Sequence, residues 1–427
     1  MRRSIWGLLA SVVFTATASS AGIVALGKQV FDLTGRELDL GWLGLAEFAP
    51  AAVLVFVTGP VADRFDRRRV VAIAALFEAV AALGLAAYAH SDPTSVTPIF
   101  GLVLVFGVFR AFVAPAERAL PSDIVPADQL PKLIARFSIA WQVSTILGPI
   151  LGGVMYVLDP ALPYVAIALL LVGGAASALI IERPVAVQHH DDLEAPSLRA
   201  AFAGLRFIRS QPILLGAISL DLFAVLFGGA VALLPAIADE RLGVGAVGLG
   251  WLRAATGIGA ALTTMVLAFR PKERNIGRTL LVVVAIFGVF TIVLGVTHSY
   301  VVAFLALVAL SGADAISVFI RATLVPLVTP PDRRGRVLAV ENVFIGASNE
   351  LGAFESGVVG AAWGAPVAIV SGGVATLAIA GAWWLAFPAL RRLDRFPTSS
   401  TSSTPSTSTE VASIAEDLSI AQTERRR

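Results

Sequence analysis

Apolar residues in this chain fall in uninterrupted runs of about twenty, without the alternation of half-buried strands or the striping of surface helices. Runs of that length cross a hydrocarbon core of about 30 Å as helices. The polar breaks between them predict twelve helices near residues 5–27, 41–61, 69–90, 97–118, 133–157, 163–181, 212–236, 247–269, 278–297, 300–325, 338–361 and 366–388. A lipid-facing segment must satisfy its own backbone, and the short alternating strands of a barrel are not seen, so the pattern predicts an all-α polytopic membrane protein. The polar stretch 182–211 splits the spans into an N-terminal half over 1–181 and a C-terminal half over 212–391. Residues 392–427 form a Ser/Thr-rich tail whose composition predicts disorder.

Composition agrees: 57% of the 427 residues are hydrophobic and 15% charged, against about a quarter charged in soluble domains. There is no cysteine, which excludes disulfides and thiolate chemistry. Of the 32 Lys and Arg residues, only Lys28, Arg36 and Arg241 fall on one side of the predicted spans. Arg110, Arg118, Arg253 and Arg321 lie within spans or at their ends, and all the others collect on the opposite side. By the positive-inside rule that basic side is cytoplasmic, and so are both termini. The four histidines lie in loops or at span ends, so they build neither a hydrolytic triad nor a metal centre. His189-His190-Asp191-Asp192 reads as solvated linker, since four adjacent residues cannot surround an ion. No metal, cofactor, nucleic-acid partner or enzymatic activity is expected, and the chain is expected to act as a monomer.

The in-span charges obey an internal repeat. A shift of 204 residues places Arg110 on Asp314, Glu117 on Arg321, Pro126 on Pro330, Gly148 on Gly352 and Gly153 on Gly357. A shift of 206 places Gly44 on Gly250 and Glu47 on Arg253. Matched helices of the two halves thus hold charges of reversed sign. Parallel six-helix repeats point to a transporter with its site between the halves near mid-membrane. In-span charges face a bundle interior or a wet cavity; as structural ion pairs or as coupling groups they look alike at this stage.

The loop after the second span reads Gly59-Pro-Val-Ala-Asp63-Arg64-Phe-Asp66-Arg67-Arg68-Arg69. It resembles the G-x-L-A-D-R-x-G-R-R/K signature of the major facilitator superfamily, at the position and on the side where that family carries it. Val61 and Asp66 depart from the pattern. The variant is similar to the drug:proton antiporter branch that includes siderophore exporters and macrolide efflux pumps. The resemblance covers about residues 5–395. It implies a loop in which Gly59, Asp63, Arg64, Arg67 and Arg68 latch the halves on the cytoplasmic side. In the fifth span, Gly148-Pro149-Ile-Leu-Gly152-Gly153 resembles the family's antiporter motif, with Ser144 at its upstream glycine. Packing alone is the competing reading of these glycines. Arg110 resembles the fourth-span arginine of the family, although Val113 and Ala114 depart from the motif around it.

No nucleotide-binding G-x-x-x-x-G-K-[ST] loop is present. The resemblance therefore implies export of a small amphiphilic molecule, siderophore or drug-like, by proton antiport across a bacterial inner membrane. Substrate, protons and lipid would be the partners. An importer or lipid flippase on the same fold, and a membrane sensor, are the alternatives. A proton carrier must be an in-span carboxylate poised between desolvation and a cation. The candidates are Glu47, Asp221, Asp314, Glu350 and Glu355, with Asp221 and Asp314 favoured, Arg110 and Arg253 as cations, and Glu78 less central. Glu117 and Glu341 fall nearer the span ends.

Overall fold

A computed structural model of the chain describes residues 2–126, 128–182, 198–270 and 272–397. The tail from 398 onward and the His189–Asp192 stretch, read above as disorder and solvated linker, lie outside the described residues.

The first half consists of α1 (Arg2–Thr34), α2 (Glu37–Arg64), α3 (Arg67–His90), α4 (Thr97–Ile124), α5 (Leu130–Leu158) and α6 (Leu162–Ile180). A linker helix, α7 (Leu198–Ser210), leads into α8 (Pro212–Phe227). After it come a 3-10 stretch (Gly229–Leu233), α9 (Leu234–Ala236) and a π turn (Ile237–Arg241). The chain continues through α10 (Gly245–Phe269), α11 (Ile276–Val296), α12 (Tyr300–Val328), α13 (Pro331–Trp363), α14 (Ala365–Ala386) and the short α15 (Pro388–Arg391). Ten of these segments are long and apolar enough to cross a membrane. Helices α2 and α13, of 28 and 33 residues, complete a set of twelve. Among the described residues there is no strand.

Several boundaries differ from the hydropathy reading, α4 for one running on to Ile124, and three of the differences have a local reason. Helix α1 runs on to Thr34, past the apolar run, because Lys28, buried near its end, finds ionic partners in Asp32 and Asp239. Helix α13 begins at Pro331, a residue suited to a first helical turn where its missing N–H is not needed. The seventh span breaks at Gly228, whose N–H donates to the carbonyls of Ala224 and Val225, before the 3-10 stretch takes over. The linker, read as merely polar, contains α7. Its Ile208 is buried against Leu214, Ile218, Val325, Val337 and Val340, and Gly204 lies against the Arg336 carbonyl, where a Cβ would come within 2.8 Å.

The repeated glycines make matched contacts. Gly148 brings α5 onto α1, and Gly352 brings α13 onto the end of α8; added Cβ atoms would lie 2.8 Å from the Thr17 carbonyl and 2.7 Å from the Leu226 carbonyl. Five residues on, Gly153 meets α10 at Ala246, and Gly357 meets α2 at Gly41 and the Glu37 carbonyl. Two seams between the halves result, α5 with α10 and α2 with α13. Gly250 faces the Pro149 carbonyl at 2.6 Å from its would-be Cβ, and Gln142 donates to the Gly257 carbonyl at 2.8 Å. Trp42 packs edge-on against Phe354 at 4.8 Å between ring centroids. These contacts draw the halves together toward the face away from Arg2, Arg64 and Arg67.

Candidate functional site

A cavity of about 440 Å³ lies between the halves. Glu47 on α2, Arg253 and Thr256 on α10, Asp314 on α12, and Asn349 and Glu350 on α13 supply its polar wall; Phe287, Leu43 and Val225 are among its apolar lining. Glu47 and Arg253, equivalent in the repeat, are within electrostatic reach of each other, and Glu350 is the second carboxylate near Arg253. The Arg253 Nε is buried without a hydrogen-bond partner. A larger cavity of about 1150 Å³ lies between α7 and the start of α13, within one half and lined by Arg206, Arg209, Arg333 and Arg336. The smaller cavity is the candidate site, because it touches both halves and gathers four in-span charges.

Beside it, in the second half, Arg321 is buried and paired. Its Nη2 donates to Asp221 Oδ1 at 2.7 Å, and its Nη1 lies 3.9 Å from Glu341 Oε1. Asp314, two turns earlier on the same face of α12, interacts with the same guanidinium and opens onto the cavity. Asp221 therefore braces α8 to α12 and does not line the central cavity. Glu341, set aside in the sequence reading for its position near a span end, belongs to this group. Glu355 lies outside the cavity lining, hydrogen-bonded to Ser356.

The first half holds the matching group. Thr15 on α1 donates to Glu117 Oε1 at 2.8 Å, and Thr15 falls on Asp221 under the 206-residue shift. The α1–α4 contact is thus a neutral-donor version of the α8–α12 ion pair. Arg110 interacts with Glu117, Glu78 and Glu47, placing it between the interior of this half and the cavity wall. The sequence reading missed Thr15, a signal available from extending the repeat to the first and seventh spans.

A third group closes the face opposite the basic one. Lys28 on α1 pairs with Asp32 on its own helix and with Asp239 of the second half at 2.8 Å. Tyr156 on α5 donates to Asp32 Oδ2 at 2.8 Å. The apolar run ends before Lys28, so hydropathy places it in a loop, whereas it lies within the last turns of α1.

In the signature loop, Asp66 caps α3 by accepting from the Arg68 N–H at 3.2 Å, and it also takes Arg68 Nη2 at 2.6 Å. The adjoining Arg68 guanidinium holds the Asp66 carboxyl below the usual carboxylate range. An aspartate thus replaces the family's glycine and adds a cap. Arg68 also donates to the Ile181 carbonyl, and Arg67 grips Asp123 through both carboxylate oxygens, at 2.8 and 3.0 Å. Both arginines tie the loop to its own half. Arg64 is exposed at the end of α2, and Gly59 borders open space. The Asp63 side chain is outside the described residues. In α5, Gly152 lies on the Ala21 carbonyl, 2.6 Å from a would-be Cβ, so Gly148, Gly152 and Gly153 all serve helix approach around Pro149, which is buried. Among the described residues no cluster of His, Asp and Glu could hold a metal ion.

Comparison with known proteins agrees with this architecture. The family profile described as Major Facilitator Superfamily matches residues 7–353. The enterobactin exporter EntS of Shigella flexneri is 24% identical over 385 residues, 89% of this chain and 90% of its own. The EntS of Escherichia coli O1:K1 is 24% identical over 392 residues. Among solved structures, a bacterial homolog of the human lysosomal transporter Spinster, inward-facing and occupied, superposes with a TM-score of 0.68 at 14% identity. That match covers 91% of this chain and 95% of the other. The nucleoside transporter NupG gives 0.66 at 16% identity, covering 91% and 99%. With two six-helix halves, a charged cavity between them and a profile match over most of its length, the chain belongs to the Major Facilitator Superfamily of membrane transporters.

Proposed function

We propose that this protein exports a small amphiphilic organic molecule, a siderophore or a drug-like compound, by proton antiport, with both termini in the cytoplasm of a bacterial inner membrane. The observation that carries the reading is the cavity between the halves, with apolar walls for an amphiphile and carboxylates of both halves for a proton. On this reading the glycine seams and the Lys28 group hold the external face together. The 24% likeness to enterobactin exporters favours a siderophore-sized cargo.

In this mechanism Asp314 and Glu350 take protons in competition with substrate beside Arg253, and Asp221 holds Arg321 in place next to Asp314. The halves then rock as bodies about the cavity. Arg64 and Asp63 belong to the loop that latches the cytoplasmic side in the alternate state, and one chain suffices for the cycle. The test is uptake into everted vesicles with enterobactin and ethidium as probes. A proton gradient should drive accumulation that collapses with a protonophore; accumulation indifferent to the protonophore excludes antiport.

A further inference from the structure

Glu78 lies in the middle of α3 with no exposure, and neither of its carboxylate oxygens has a hydrogen-bond partner. Among the described residues no ion pair reaches it. A carboxylate in that condition forfeits its hydration for nothing, a far larger cost than burying a neutral acid.

Its surroundings are well defined. The neighbouring Phe77 stacks on Phe109 of α4 at 4.5 Å and 7° between ring planes, which sets the register that places Glu78 near Arg110. The charged groups facing Glu78 are Arg110 and Glu117, both on α4. Helix α6, packed on the other side of α3, carries no charged residue, and α3 has none between Arg69 and His90 apart from Glu78. Glu117 has its own donor in Thr15. Arg110, with Nη1 buried and unpartnered, is shared by Glu78, Glu117 and the cavity-wall Glu47. Even with Arg253 beside Glu47, the carboxylates Glu47, Glu78, Glu117 and Glu350 outnumber the two guanidiniums and would leave this interior with surplus negative charge if all were ionised. A proton on Glu78 reduces the surplus and removes the unpaired charge together. As a structural brace the residue achieves nothing, since it bonds to nothing.

We propose that Glu78 is a proton-binding site of the transporter, set in the N-terminal half outside the substrate cavity, with Arg110 as its movable counter-ion. When the halves rock and Arg110 turns from Glu47 toward Glu78, the Glu78 O–H bond breaks. The proton then leaves for water of the cavity at Glu47; the reverse movement returns it. The proposal rests on the antiport reading for its role in the cycle, but the proton on Glu78 does not.

The experiment uses the full chain in liposomes and the near-isosteric variant Glu78→Gln. Infrared spectroscopy of the wild type at neutral pH should show a neutral carboxylic-acid carbonyl band that is missing from the variant and that shifts after transfer to D2O. No such difference band, or one that resists deuterium exchange, overturns the proposal. In everted vesicles, Glu78→Gln should keep energy-independent exchange of ethidium or enterobactin and lose uphill, proton-driven accumulation. A variant with the wild-type accumulation and pH profile overturns the coupling role. Wild-type accumulation that ignores a protonophore overturns the antiport reading instead, and the infrared band then decides for Glu78 alone.

Discussion

Replacing Lys28 by Met should loosen the face that the structure holds shut. Among the described residues Lys28 is the one cation paired with both Asp32 and Asp239, with side-chain exposures of 11%, 37% and 23%. Its bond to Asp239 is the ionic tie between the halves in this group. Close charge pairs across interfaces couple by about 1.5–7 kcal/mol, and the partial exposure of both aspartates puts this one at the low end, about 1.5–3 kcal/mol. At 1.4 kcal/mol per factor of ten, the open-to-closed ratio of that face should rise roughly 10- to 100-fold. The two aspartates, left without their cation, add repulsion in the same direction. Because the chain contains no cysteine, Thr94→Cys and His298→Cys place single spin labels on exposed loops of opposite halves without any background labelling. Electron–electron double resonance should show a longer-distance population in Lys28→Met that shrinks when Asp239→Asn is added. An unchanged distance distribution would refute the reasoning, and an equal effect of Lys28→Met with and without Asp239→Asn would assign it to α1 alone.

Two further outcomes follow from the ion pairs of Asp66 and Asp221. Asp66→Ala removes the α3 cap and should cost about 1 kcal/mol. Because Arg68 depresses the folded-state pKa of Asp66, that stability is complete above the ordinary carboxylate value of about 4 and is lost as pH falls through the lowered one. The gap in melting temperature between wild type and variant should therefore narrow in acid; a gap independent of pH would contradict it. Asp221→Asn leaves the buried Arg321 with Glu341 at 3.9 Å as its remaining ion-pair partner and should destabilise by about 3–5 kcal/mol. Adding Arg321→Met should recover part of that loss, and thermal unfolding in detergent would expose a failure of either step.

Much of the fold was legible because lipid imposes a simple rule on it. Span length, charge asymmetry and the reversed-sign repeat led to twelve helices in two halves, and Glu47, Arg253, Asp314 and Glu350 do meet at one cavity. What stayed hidden was pairing. The repeat matches Arg321 with Glu117 of the other half but says nothing of what it touches, and its short contact is to Asp221 on α8. Lys28 falls outside the expected first span for a related reason: hydropathy registers how apolar a window is, but not which face of a helix meets another helix. The Asp66 cap depends on backbone geometry at the α2–α3 turn, which a motif comparison registers only as a departure.

The seating of α7 on α13 has a mechanical consequence for the covalent connection between the halves. With Gly204 lying on Arg336 and Ile208 buried beside Val337, α7 travels with the second half. As the last helix of that connection, α7 therefore delivers any force on it to the start of α13, the helix that borders the cavity through Asn349 and Glu350 and meets the first half across the α2–α13 seam.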